Sequence, residues 1–226
     1  MSSTIPQSEA AVGFPSSSVD IAYDEILKRI VTGKLREGEP VKGSVLARSL
    51  ELSRTPVVQA INRLCAAGIL EQQLNHRATV ATGAEQWFMS LHEVRILLEP
   101  QAARAAAGTL DSEGITKLNA LASRFERESE FEKKREAAFH FDHELHTSIA
   151  RASGNLMIQS IIQQCMGFKR FAYRVPNDTP ERLDRSHREH LEIIRAIEKQ
   201  DGETASAAML FHLRSTSRDL PNTHVV

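Results

Sequence analysis

From Ser18 onward the apolar residues Ile21, Ile26, Leu27, Ile30 and Val31 recur at the intervals that line one side of an α-helix. Gly33 and the turn "REGEP" end that segment. A short apolar helix follows, with Val45, Leu46, Leu50 and Leu52, and then the tight turn "ELS". The next helix carries Val57, Ile61 and Leu64 on one face. Pro56 suits its first turn, Ser53 or Thr55 is placed to cap it, and Gly68 is placed to end it. The segment "ILEQQLNHRATVAT" reads as two short strands around a turn at Asn75–Arg77. Beyond it the spacing is helical throughout. It predicts helices over Trp87–Ala107, Asp111–Glu128, Phe131–Ala152, Asn155–Arg174, Thr179–Lys199 and Gly202–Arg218, separated by "SGN", "VPNDTP" and "KQDGE". The expected fold is mainly α, in two parts. A Ser-, Pro- and Gly-rich tail over residues 1–17 is expected to be disordered. A winged helix-turn-helix over 18–82, a linker over 83–86, an all-α helical bundle over 87–218 and a short tail over 219–226 follow it.

Composition narrows the function classes only a little. Hydrophobic content of 41% and charged content of 25% are ordinary for a folded protein, and the formal net charge is −1. Residues 18–82 carry nine Lys/Arg against seven Asp/Glu, and residues from Gly83 onward carry nineteen against twenty-one. That asymmetry is too mild to argue for nucleic acid by itself. Cys65 and Cys165 fall inside helical patterns and read as free thiols of a reducing compartment. The first residues lack the basic and apolar regions of a secretory signal, and no apolar run reaches membrane-spanning length, so a cytoplasmic protein with no membrane partner is expected.

Helix, short helix, tight turn, second helix and hairpin is the order of a winged helix-turn-helix. Such a unit presents the start of its second helix to base edges while its surroundings grip phosphates. Arg54, Thr55, Gln59 and Asn62 lie away from the Val57–Ile61–Leu64 stripe. Lys42, Ser44, Arg48, Arg63, His76 and Arg77 are placed for backbone contacts. "LARSLELSRTPVVQAINRLCAAGILEQ" closely resembles the GntR family of bacterial transcription factors. Ser53, Arg54, Thr55, Pro56 and Val57 match the family's core motif, Gly38 and Pro40 fit the turn before it, and the likeness covers Asp20 to Thr82. The resemblance implies a homodimer bound to double-stranded operator DNA. Three positions depart from it: Val58 replaces the usual arginine, Gln59 a glutamate, and Arg77 the wing glycine. A valine offers a base edge only apolar contact, for instance to a thymine methyl.

The stretch "FHFDHELH" at 139–146 raises the question of a metal. Asp142 and His146 stand one turn apart beside the apolar stripe of Phe141, Leu145 and Ile149, while His140 and His143 rotate away. "HELH" is one residue short of the H-E-x-x-H spacing of zinc proteases. His190 shares a stripe with Ile194 and Ile197, and His212 one with Ala205, Ala208 and Met209. Three helices therefore each aim a metal-capable side chain inward, a donor set suited to zinc, nickel or manganese. "EVRILLEPQAARAAA", "DHELHTSIARASGN" and "EHLEIIRAIEKQDGETASAAMLFHL" resemble the FCD effector domain of the FadR-type branch, over about Ala84 to Arg218. The resemblance implies a central metal on Asp142, His146, His190 and His212. Six helices rather than seven suggest the smaller, VanR-like variant. It also implies a small carboxylate effector, with Arg95 as its partner and Arg170 and Arg174 as weaker candidates; Asn155 reads as a helix cap. The expected function is a ligand-responsive transcriptional regulator, a repressor rather than an enzyme. Two alternatives stay open: a metal-dependent hydrolase using Glu144 or His143, and a DNA-binding protein whose histidines are structural.

Overall fold

A computed structural model describes residues 17–72, 77–172 and 178–217, without the side chains of 85–89 and 168–172. The chain divides into two compact units between Ala84 and Glu85.

The first unit holds α1 (Ser18–Val31), α2 (Gly43–Ser49), α3 (Arg54–Ala66) and an antiparallel pair, β1 (Leu70–Gln72) and β2 (Ala78–Val80), in which Leu70 faces Val80. The Ser17 side chain caps α1 by accepting from the Asp20 N–H. Ala22, Ile26, Leu27 and Ile30 of α1 are buried, as are Val57, Ala60 and Leu64 of α3, and the two helices pack together. That is the amphipathic pattern put to use. Ser53 occupies the N-cap position of α3, but its side chain makes no capping hydrogen bond. Gly68 ends the helix at φ +72°, a left-handed conformation that glycine takes without steric cost. The outer side of β2 is also paired: Gly38 donates to Val80, Val80 to Glu39 and Val41 to Ala78, at 2.8 to 3.0 Å. Val45, expected in the apolar set, is 51% exposed.

The second unit is a bundle of α4 (Ala84–Ala106), α5 (Ser112–Arg127), α6 (Phe131–Ala152), α7 (Leu156–Ala172), α8 (Pro180–Glu198) and α9 (Gly202–Ser217). Helix α4 begins at Ala84, three residues before the expected Trp87, so of the expected linker 83–86 only Gly83, at φ +78°, lies outside helix. Pro100 sits inside α4, where it withholds the hydrogen bond that the Ile96 carbonyl would otherwise receive. The helix continues through it. Caps follow the sequence signals: Asp111 accepts from Gly114 N–H, Asn155 from Met157 and Ile158, and Thr179 from Arg182 ahead of Pro180. Helix α6 packs against α5, α7 and α8, and α8 packs against α9. Phe141, Leu145 and Ile149 of α6 join Ile193, Ile194 and Ile197 of α8, and Met209 and Leu213 of α9, in one core. Among the described residues, no helix is long and apolar enough to cross a membrane.

Gly202 marks a close backbone approach in the bundle. A Cβ there would stand 2.8 Å from the Arg104 carbonyl oxygen, a backbone atom of α4. Gly202→Ala is expected to destabilise the bundle by about 1–3 kcal/mol through overpacking. A urea midpoint equal to that of the unsubstituted chain would refute that close approach.

Candidate functional site

The centre of the bundle is built on α6, whose helical repeat places Asp142 and His146 one turn apart on its buried face. His190 arrives from α8 and His212 from α9. All four are at most 3% exposed, and one potential ligand atom from each lies within 4.8 Å of the others. His146 Nε2 is 3.6 Å and His190 Nε2 3.5 Å from Asp142 Oδ1, and the His190 and His212 Nε2 atoms are 3.1 Å apart. Sequence spacing thus marked four residues that the fold does bring together.

A second ring of side chains orients the first. His146 Nδ1 is hydrogen-bonded to Glu99, and His212 Nδ1 to Glu189 Oε2 at 2.9 Å. Burial pushes the Glu99 carboxyl up, but the Arg95 guanidinium and His146 outweigh it and hold the group well below the usual carboxylate range. Nδ1 of His146 is thus turned to Glu99, which leaves Nε2 as the ring nitrogen facing the other three residues. That Nε2 is buried and makes no hydrogen bond. Burial raises Glu189, against a Ser215 hydrogen bond and the charges of Arg185 and Arg188. Three inward imidazoles, one carboxylate and outer carboxylates on two Nδ1 atoms are the donor chemistry of a divalent transition cation with its supporting shell. The residues fit such an ion.

Arg95 is 4% exposed, and its Nε donates to Glu99 Oε1 at 2.5 Å. Its Nη2 is buried and makes no hydrogen bond. A chain of contacts therefore runs from Arg95 through Glu99 to His146. Neither Glu99 nor Glu189 was anticipated. The four-residue spacing of Arg95 and Glu99 on one helix was a usable signal for the first. Glu189 meets His212 from another helix, and nothing local announces it.

The remaining candidates separate clearly. His140 lies 3.5 Å from Glu136, and His143 is half-buried against Phe139, its pKa lowered by burial. Glu144 accepts from Lys117 at 2.7 Å and Ser148 at 2.9 Å. His187, also missed by sequence reading, stacks on Phe125 with ring centroids 4.3 Å apart and lies 3.1 Å from Glu126. Both cysteines are free thiols; burial pushes Cys165 up to about 11, which keeps it protonated. Arg170 lies on α7 with its side chain outside the described residues, and Arg174 falls outside them altogether.

On the first unit, Lys42, Ser44, Arg48, Ser53, Arg54, Thr55, Val58, Gln59, Asn62 and Arg77 are all exposed, and His76 falls outside the described residues. Arg63, also exposed, has partners within its own unit. It bonds Asp20 Oδ1 at 2.9 Å and sits 4.5 Å above the Tyr23 ring, so it ties α3 to α1.

Comparison with known proteins yields two family matches. Residues 19–80 match "Bacterial regulatory proteins, gntR family", and residues 90–215, more than half of the chain, match "FCD domain". The chain is 27% identical to the probable D-xylose utilization operon transcriptional repressor of Paenarthrobacter nicotinovorans, over 84% of this chain and 83% of the relative. It is 24% identical to the galactonate operon transcriptional repressor of Escherichia coli, over 85% and 92%. Among solved structures, E. coli McbR/YncC aligns with a TM-score of 0.65 at 18% identity, covering 89% of this chain and 96% of that one, a likeness of fold.

Proposed function

Because the chain belongs to the GntR family of bacterial regulatory proteins and carries an FCD domain as its C-terminal half, we propose that it is a metal-dependent, carboxylate-sensing repressor. The observation that carries this reading is the buried convergence of Asp142, His146, His190 and His212, with an inward His146 Nε2 that no hydrogen bond occupies. These four side chains would hold a divalent cation, which would supply a Lewis-acidic point able to bind a carboxylate oxygen. The protein's own residues do the rest. Glu99 and Glu189 fix two imidazole orientations, and Arg95 offers a buried guanidinium nitrogen as the second anchor for an anion. An anion drawn to Arg95 competes with Glu99 for it, which links effector binding to the position of His146 and of α4. An effector of equal affinity for the DNA-competent and DNA-incompetent forms would regulate nothing, so it must prefer one of them.

The hydrolase alternative gains no support from Glu144, whose carboxylate is held by Lys117 and Ser148. On the first unit, exposed Lys42, Arg48 and Arg77 suit phosphate contacts, and Arg54, Thr55, Gln59 and Asn62 suit base edges, with two copies of the chain reading the two half-sites of an operator. Arg54→Ala is expected to weaken operator binding about tenfold or more at fixed salt, while leaving metal content unchanged. Equal affinity in a fluorescence-anisotropy titration would remove α3 from the interface.

A thermal-shift screen of small organic acids, with and without chelator, tests the sensor. At least one acid is expected to stabilise the protein, to lose that effect with chelator, and to act more weakly on Arg95→Lys. Stabilisation indifferent to both changes would place the effector elsewhere.

A further inference from the structure

Helix α3 turns one stripe outward: Arg54, Thr55, Val58, Gln59 and Asn62. Val58 lies one turn after Thr55 and one turn before Asn62, on the same face. It is 52% exposed, while Val57, Ala60 and Leu64 on the inward stripe are at most 1% exposed. The core of this unit is thus complete without Val58, and its isopropyl group stands among the polar side chains of the outward face. The helix carries two guanidinium groups, Arg54 and Arg63. Arg63, near the far end of α3, is paired with Asp20 and Tyr23, while Arg54 stands at the very start of the helix, the end that a recognition helix presents to base edges. No acidic residue occurs in α3 to accept from a cytosine amine.

The stripe therefore carries methyl groups (Val58 and the γ-methyl of Thr55) beside two carboxamides (Gln59 and Asn62). In a major groove the thymine 5-methyl is the apolar group on a base edge, and a carboxamide pairs two-fold with adenine N6 and N7. We propose that Val58 is a specificity-determining residue that selects a thymine in each half-site through its 5-methyl group, with Gln59 or Asn62 taking an adjacent adenine. This rests on the reading of the first unit as operator-binding. A guanidinium in the same place would instead seek guanine, so the valine turns discrimination at that base pair from hydrogen-bonded to apolar.

The experiment uses the full-length protein. Binding sites are selected from random duplexes, and the enriched duplex is titrated at fixed salt. Its thymines are then replaced one at a time by deoxyuridine, which removes the 5-methyl group and nothing else. One thymine per half-site is expected to show weakening of about threefold to tenfold, the range for losing a buried methyl contact. Val58→Ala should weaken binding to the thymine-containing duplex by a similar factor and be blind to deoxyuridine at that position. Val58→Arg should move the preference there toward a G·C pair. Because Val58 is 52% exposed, both variants should unfold within a few degrees of the unsubstituted chain. A half-site with no deoxyuridine-sensitive thymine overturns the proposal, and so does a deoxyuridine penalty that survives undiminished in Val58→Ala. Failure to enrich any duplex overturns the operator-binding reading itself, and this inference with it.

Discussion

Arg95→Ala is expected to lower the stability of the helical bundle by about 3–5 kcal/mol, the cost of leaving a buried charge without its partner. Glu99 is 1% exposed, and burial alone would favour its neutral form; the guanidinium of Arg95, with His146, keeps it ionised. With the arginine gone, Glu99 must either stay charged in an apolar interior or take up a proton. In both cases His146 loses the fixed acceptor that orients it. Arg95→Met combined with Glu99→Gln removes both charges and is expected to recover most of the loss, because a neutral pair of similar volume leaves no uncompensated ion. Chemical denaturation in the presence of chelator isolates this effect from metal binding. A loss below about 1 kcal/mol, the scale of an exposed pair, would contradict the buried relay. The same reasoning disqualifies Arg95→Ala as a probe of effector binding, since it confuses lost stability with lost affinity. Arg95→Lys keeps the charge.

Removing the cation is the second large perturbation. A ligand present at about 100 to 1,000 times its dissociation constant stabilises the folded form by about 2.7 to 4 kcal/mol. For a domain of this size, that corresponds to about 5–15 °C in the unfolding midpoint. Chelation is accordingly expected to lower the midpoint of the bundle's transition by several degrees, and added zinc, nickel or manganese to restore it. His146→Ala should unfold no higher than the chelated parent and at a midpoint that chelator does not move, because it lacks the buried Nε2 that faces the other ligands and leaves Glu99 short of a partner. A midpoint of the unsubstituted chain that ignores chelator would mean that protein contacts alone hold the cluster.

The difference between what was legible in the sequence and what was not has a physical origin. Helical periodicity revealed the six bundle helices, because each buries a stripe and the stripe recurs every three to four residues. It also revealed Asp142, His146, His190 and His212, since each lies on such a stripe beside residues that form the core. It failed where burial depends on a partner from another element. Glu99 and Glu189 went unremarked because only the fold brings His146 and His212 against them. The pairing of exposed Arg63 with Asp20 and Tyr23 was not legible, because those partners lie some forty residues earlier on α1. Ser53 took the cap position without bonding, since a favourable residue type does not oblige its side chain to turn back. At Gly83–Gln86 the composition suggested a linker, whereas a left-handed Gly83 lets α4 start at once. Exposure of Val58 was implied by its place opposite the apolar stripe, and the structure leaves it 52% exposed.

The central claim is that the bundle cages a cation, and metal content measures it directly. The full chain, purified without a histidine tag from metal-replete medium, should carry about one divalent transition-metal ion per chain, and His190→Ala almost none. The variant should still bind operator DNA as the metal-free parent does. An unsubstituted protein that retains no ion, or a His190→Ala variant that retains as much as its parent, would contradict the account.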